Sequence, residues 1–195
     1  MGKLFYIMGK SSSGKDTIYS ELLSRKELGL QPLIIYTTRP IRSNETDGVQ
    51  YHFVTEQDLL QMQEAGKVIE LRTYPSVYGP WNYFTADGDA LDMEKYNYIG
   101  LGTPESYVKI KKYYGEERVV PIYIEVEDGL RLQRALDRER SLEAPKYEEM
   151  CRRFLADQKD FCEENIVAAG ITKRFYNNGT LESCLQEVLE CIIKS

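Results

Sequence analysis

Leu4-Phe5-Tyr6-Ile7-Met8-Gly9-Lys10-Ser11-Ser12-Ser13-Gly14-Lys15-Asp16-Thr17-Ile18 is the stretch whose reading decides the fold. Five consecutive apolar residues are too short for a helix and suit a strand covered on both faces. The strand runs directly into Gly9-x-x-x-x-Gly14-Lys15, and a helical pattern opens at Lys15 with Ile18, Leu22 and Leu23 on one face. Such a glycine loop curls so that several backbone N–H groups point at one anion. The helix N-terminus adds partial positive charge, and the lysine neutralises phosphate oxygens. The context predicts a site for the phosphates of ATP formed by Gly9, Ser11, Ser12, Ser13, Gly14 and Lys15, with Lys15 also the first candidate to act on a transferring group. After the lysine, where a hydroxyl is usual, stand Asp16 and then Thr17. A carboxylate is a hard oxygen ligand, so Asp16 is a candidate to hold Mg²⁺ directly or through water. It is equally a first-turn acid placed to suit the helix dipole.

Outward from this stretch, short apolar runs alternate with amphipathic ones. Leu4–Met8, Leu33–Tyr36, Val68–Leu71, Tyr98–Leu101 and Val119–Val126 read as strands. Helical patterns run from Lys15, over Glu56–Ala65, over Thr103–Tyr114 with Thr103 as N-cap and Pro104 in the first turn, over Asp128–Arg140, over Tyr147–Asn165, and over Leu181–Ile193. The alternation predicts an α/β fold with right-handed crossovers, its central parallel sheet flanked by helices. One domain is expected over residues 1–195. Residues 43–48 and 74–89 are rich in turn formers and read as ligand-contacting loops.

The chain has 195 residues, 42% of them apolar and 29% charged, and a net charge of −6. That balance excludes a protein whose main partner is nucleic acid, which requires a broadly basic surface, but it leaves room for a local basic pocket. The four cysteines, Cys151, Cys162, Cys184 and Cys191, form no C-x-x-C pair, and His52 is the only histidine, so a zinc site is not expected. Buried thiols in a reducing cytoplasm are the expectation, with no signal peptide and no membrane span.

A second constellation follows: Thr37-Thr38-Arg39-Pro40-Ile41-Arg42-Ser43-Asn44-Glu45-Thr46-Asp47-Gly48-Val49-Gln50-Tyr51-His52-Phe53. Read from the residues alone, Arg39 and Arg42 offer planar forks suited to phosphate oxygens, Tyr51 a hydroxyl donor, and Glu45 a partner to orient an arginine. Two arginines three apart are also common on solvated surfaces. The whole segment resembles the guanylate kinase signature T-T-R-x-x-R-x-x-E-x-x-G-x-x-Y-x-F. That resemblance implies a P-loop kinase fold with small acceptor-binding and lid subdomains, the core from 1–32, 86–127 and 166–195, the acceptor-binding subdomain from 33–85 and the lid region from 128–165. It also implies ATP-dependent phosphorylation of a nucleoside monophosphate, GMP to GDP first among them. Small nucleotides would be the partners, the place would be cytoplasmic purine metabolism, and the state a monomer or homodimer.

By the same resemblance Arg39, Arg42, Glu45 and Tyr51 form the grip on the acceptor phosphate, and Glu70 meets the guanine edge. Tyr83 would face the phosphate and Thr85 the base, with Tyr78 competing for the role of Tyr83. The aromatics Tyr74, Tyr78, Trp81, Tyr83 and Phe84 also read as a packed cluster. Arg131, Arg134 and Arg138 recur at helical spacing, with Arg153 on the next helix. They resemble the family's lid arginines, of which Arg134, Arg138 and Arg153 match the spacing and would act on the transferring phosphoryl group. A salt-bridged surface helix is the plainer reading. Asn177, in Tyr176-Asn177-Asn178, resembles an adenine contact, or is a turn before the last helix.

The chain departs from the family at two places. Ile35 stands where a base-contacting serine is usual, and the segment Tyr98 to Ser106 carries no Asp-x-Asp. These departures weaken guanine as the acceptor base. They keep open a kinase for another phosphorylated small molecule, such as the ribose bisphosphate phosphokinases that Gly-Lys-Asp resembles, and a non-catalytic binding module of the same fold.

Overall fold

The computed structural model describes residues 2–76, 79–87 and 91–195. In chain order the elements are β1 (Leu4–Met8), α1 (Lys15–Ser24), a 3-10 turn (Lys26–Leu28), β2 (Leu30–Pro32), β3 (Tyr36–Thr37), β4 (His52–Phe53), α2 (Glu56–Glu64), β5 (Val68–Ser76), β6 (Gly79–Ala86), β7 (Asn97–Gly102), α3 (Pro104–Tyr114), β8 (Val119–Glu125), α4 (Asp128–Arg140), α5 (Tyr147–Asp160), α6 (Glu163–Ala168), β9 (Arg174–Tyr176) and α7 (Leu181–Lys194).

The main sheet is parallel throughout, in the order β2-β7-β1-β8-β9. All five residues of β1 are buried because alternate side chains enter different cores. Leu4, Tyr6 and Met8 pack with Tyr107, Ile110, Phe161 and Ile166 on one face. Phe5 and Ile7 pack with Ile18, Leu22, Leu185 and Val188 of α1 and α7 on the other. A central parallel strand covered by helices on both sides therefore reads as an unbroken apolar run. Its neighbours β7 and β8 lie on either side, so the loop after Met8 opens at the carboxyl end of the sheet's centre. Ligand crevices of open α/β sheets form there.

A second sheet, β4-β3-β6-β5, lies within residues 36–86 and is mixed. β5 and β6 pair antiparallel, β3 pairs antiparallel with β6, and β3 with β4 parallel. Three sequence expectations are corrected here. The run Leu33–Tyr36 is not one strand: β2 ends at Pro32 in the main sheet, and β3 starts at Tyr36 in the second. The described part of 74–89 is mostly strand, because Tyr74 and Tyr83, on opposite strands of the hairpin, bring aromatic rings into contact at 5.7 Å, which outweighs the local turn chemistry of Gly79, Pro80 and Asn82. Tyr147–Asn165 breaks after Asp160 into α5 and α6, with Phe161 buried in the core between them.

Thr103 caps α3 as the sequence predicts. Its side chain accepts from the Ser106 N–H, while the Ser106 hydroxyl accepts from the Thr103 N–H. Among the described residues no helix is long and apolar enough to cross a membrane.

Candidate active site

The loop between β1 and α1 is held by features that only its backbone path explains. Gly14 adopts φ 85° as the residue before α1, and a Cβ there would sit 2.5 Å from the Asn177 amide nitrogen. A Cβ on Gly9 would lie 2.7 Å from the Ile124 carbonyl. Ser12 takes φ 65°, a left-handed conformation that a non-glycine residue adopts only at an energetic penalty. The buried Ser12 hydroxyl also has no hydrogen-bond partner. An orphan buried hydroxyl in a strained anion-type loop fits a phosphate oxygen as its missing partner.

Lys15 leaves the loop with its ammonium 3.0 Å from the Asp16 carboxylate, and the Asp16 side chain is 74% exposed. Asp16 lines the central cleft, as does Ser20 one turn later, whereas Thr17 is exposed and outside it. Asp16 thus offers one free-facing hard oxygen donor beside the lysine. No cluster of three or more His, Cys, Asp or Glu side chains capable of holding a metal exists among the described residues.

The opposite wall comes from the second sheet. Arg39 is 3% exposed and makes a two-pronged pair with Glu45, Nη1 to Oε2 at 3.0 Å and Nη2 to Oε1 at 2.7 Å. Hydrogen bonds from Arg39 hold the Glu45 carboxyl below the usual carboxylate range, and Glu45 in return raises Arg39. Arg39 also lies 5.5 Å from both the Tyr51 and Phe53 ring centres. Glu45 further accepts from the Arg42 backbone N–H at 2.9 Å. The Arg42 guanidinium itself is exposed and forms no hydrogen bond or ion pair among the described residues. Tyr51 and Tyr83 meet edge to face with centres 5.6 Å apart, and Tyr74 packs on Tyr83 at 5.7 Å. Cluster and cleft coincide: Tyr51, Tyr74 and Tyr83 line the cleft, while Phe84 turns to the other side of the sheet and is buried. Tyr78 lies outside the described residues.

Between these walls lies a cleft of about 830 Å³, bordered by Lys15 and Asp16 on one side, Glu45, Tyr51 and Tyr83 on the other, and Arg153 and Asp157 above. Arg153 reaches the Ser11 hydroxyl at 3.3 Å. A smaller hollow of about 460 Å³ is shared by Ser11, Ser12, Arg42, Arg131, Arg138 and Arg153, so four arginines from three segments converge beside the loop. Arg134 is half-buried and borders neither space. Asn177 is buried behind the loop, donating to the Ser13 carbonyl at 2.8 Å.

The sequence reading missed Asp157 and Arg72, and it grouped Arg131 with the lid-like arginines. Arg131 is 1% exposed, stacks 3.9 Å over the Phe154 ring, and joins Asp128, Asp157 and the Ser11 carbonyl. Asp157 accepts from the Ser11 N–H at 2.7 Å. Only chain folding brings these groups together. Arg72 was within reach of sequence logic, because residues two apart on a strand share a face and Glu70 precedes it by two. Glu70 and Thr85 are buried and do not border the cleft. The missing Asp-x-Asp also has a steric counterpart: a Cβ on Gly102 would fall 2.0 Å from the Tyr6 hydroxyl, and one on Gly100 2.9 Å from Leu33.

A five-stranded parallel sheet delivering G-x-x-x-x-G-K from its central strand to a helix N-terminus defines a P-loop kinase fold. The guanylate kinase sequence profile matches residues 1–82. Guanylate kinases of Porphyromonas gingivalis and Malacoplasma penetrans are 32% and 31% identical to the chain over 126 and 138 residues, covering 64% and 71% of this chain and 65% and 58% of theirs. That of Desulfotalea psychrophila is 39% identical over 90 residues, 46% of this chain and 41% of its own. The chain thus spans less than two thirds of the length of each of these relatives. In structure it matches the guanylate kinase of Anaplasma phagocytophilum with a TM-score of 0.62 at 19% identity, over 99% of this chain and 85% of that one. Over these stretches the chain is similar to guanylate kinases.

Proposed function

We propose that the protein transfers the γ-phosphoryl group of ATP to a nucleoside monophosphate, with GMP the reference acceptor that its relatives' names supply. The observation that carries this reading is the shared cleft. Lys15 of the phosphate loop faces one space with Glu45, Tyr51 and Tyr83, the buried Arg39 holding Glu45 without itself bordering the cleft, and Arg153 lies over the Ser11 hydroxyl. Phosphoryl transfer needs little covalent chemistry from the protein, so positioning two phosphates in line and stabilising charge on the transferring group suffice.

The roles follow from placement. Amides of Gly9 to Gly14 and the Ser12 hydroxyl cradle the donor phosphates, and Lys15 neutralises them. Arg42 and Tyr83, with Tyr51 held by Arg39, bind the acceptor phosphate. Arg138 and Arg153 close over the charge that builds during transfer, with 128–165 serving as lid and 33–85 as acceptor-binding region. Asp16 would hold Mg²⁺, which would supply neutralisation of phosphate charge when bound. The unpaired thiols of Cys151, Cys162, Cys184 and Cys191 favour a reducing, cytoplasmic setting.

The test is initial-rate measurement of ADP release with a panel of monophosphates, using Lys15→Ala as control. Acceptor-dependent release that vanishes in Lys15→Ala is the expected result; tight nucleotide binding without turnover of any monophosphate refutes the reading. A kinase for a phosphorylated sugar is favoured by the apolar Ile35 bordering the cleft. Faster turnover of ribose phosphates than of any nucleotide would select it.

A further inference from the structure

Every polar group of Ser11, in the loop between β1 and α1, meets a side chain from α4 or α5. Its N–H donates to Asp157 Oδ2 at 2.7 Å, its carbonyl accepts from Arg131 Nη1 at 3.4 Å, and its hydroxyl accepts from Arg153 Nη2 at 3.3 Å. The preceding residue is tied to the same helices. The Lys10 ammonium donates to Asp128 at 3.3 Å and to Gln158, and the Gln158 amide donates in turn to Asp128.

These contacts matter because little else seats α5. None of its 14 residues is buried, so no apolar stripe fixes the helix against the core, and its placement depends on polar bonds. Asp157 makes the shortest of those that reach Ser11. Its side chain is 16% exposed and is held from a second side by Arg131 Nη1 at 3.3 Å, which itself is 1% exposed and stacks over Phe154. Arg153 is the opposite case. It is exposed, and its one hydrogen bond to the described residues is the contact with Ser11. A long, mobile side chain with a single bond does not aim itself. Arg153 and Asp157 lie four residues apart on α5 and so share a face one turn apart. The Asp157–Ser11 bond therefore fixes the distance between helix and loop at the point where Arg153 departs.

We infer that Asp157 is a positioning residue: by docking α5 on the Ser11 N–H it places Arg153 over the loop, where the transferring phosphoryl group would lie. A group that stabilises developing charge must be held closely, since a displacement of about 1 Å lowers a rate on the order of a hundredfold. If Asp157 only shaped the loop for the donor, its loss would instead weaken ATP binding. This inference rests on the phosphotransfer reading above and adds to it a residue that acts through Arg153.

The experiment measures kcat and KM for ATP, with the monophosphate that the wild type turns over fastest at saturation, in the wild type, Asp157→Ala, Asp157→Asn, Arg153→Ala and Asp157→Ala/Arg153→Ala. Calorimetric titration gives the ATP affinity of each. Asp157→Ala is expected to lower kcat roughly tenfold to a hundredfold, with KM and affinity for ATP changed by less than about threefold. Asp157→Asn, whose carbonyl oxygen can still accept from Ser11, is expected to recover part of the loss. In the Arg153→Ala background the same replacement is expected to lower kcat by less than about twofold, because residues that act as a unit do not add. Where the alanine variant does not fold, Asp157→Asn, nearly identical in shape, carries the cycle with the same expected non-additivity. Additive losses, or an effect on ATP affinity with kcat intact, overturn the inference and leave phosphotransfer standing. Absence of turnover of every monophosphate by the wild type, despite ATP binding, overturns both.

Discussion

The Asn177 side-chain amide donates to the Ser13 carbonyl at 2.8 Å, so the residue that follows β9 buttresses the phosphate loop from behind. The bond spans 164 residues of sequence and is buried. It holds the peptide before Gly14 in the orientation that turns the loop's amides outward. Asn177→Ala is expected to weaken ATP binding about tenfold, because a buried hydrogen bond to a backbone carbonyl contributes roughly 1–2 kcal/mol. The effect on global stability is expected to be smaller, since the substitution also removes the unpartnered Asn177 Oδ1. Calorimetric titration with ATP beside thermal denaturation separates the two effects.

Arg131 is a tie between α4, α5 and the loop after β1. Its guanidinium bonds Asp128 at 3.1 Å and Asp157 at 3.3 Å while 1% exposed. Removing one member of such a buried network strands the other charges, at roughly 3–5 kcal/mol. Arg131→Met is expected to lower the thermal midpoint by about 10 °C, and adding Asp157→Asn should restore part of the loss. Additive losses in the double variant would show that the two side chains do not act together.

Acid is expected to loosen the acceptor wall through Glu45. The Arg39 hydrogen bonds set the folded carboxyl below its ordinary value of 4.5. The stabilisation is therefore fully present above that ordinary value and is lost as pH falls through the lower folded value. Denaturant titrations at pH 7 and pH 3.5 should show a smaller stability difference for Glu45→Gln than for the wild type.

Burial pushes the Cys184 thiol up to about 11, with a small further push from Glu187. A neutral buried thiol contributes its stabilisation below its ordinary value of 9.0 and loses it as pH rises through about 11. At pH 8 a thiol reagent should label the exposed Cys151 promptly and Cys184 only upon unfolding. Peptide mass mapping after timed labelling reads this directly, and equal labelling rates would contradict the packing.

Gly102 admits no side chain while Tyr6 keeps its place. The Tyr6 hydroxyl bonds Ser106 at 2.8 Å, and burial pushes its ionisation up to about 12. Gly102→Asp is expected to destabilise the fold by several kcal/mol by forcing Tyr6 from the core beside α3. Gly102→Asp combined with Tyr6→Phe should be nearly as unstable, since a Cβ there also lies 2.5 Å from the ring carbon bearing the hydroxyl. Thermal melts of both variants test the point.

The residues Leu4 to Lys15 alone were enough for the strand, the phosphate loop and the following helix, because loop glycines, lysine and apolar run are all local signals. The Thr103 cap and the amphipathic stripe of α7 were legible for the same reason. The Arg39–Glu45 pair was legible as a spacing, six residues apart within one segment. What escaped depended on distant partners. Val68–Leu71 has the period of a strand in either sheet, and only pairing with Phe84 and Thr85 assigned it to the second. Arg131 looked like a third lid arginine until Phe154 and Asp157 enclosed it. Local sequence thus determined the curled glycine loop and its lysine between β1 and α1, since backbone curvature and one lysine are local features. Tertiary structure decided what the rest of the cleft offers: whether a charged side chain faces solvent, ligand or another charge depends on which strand or helix packs over it.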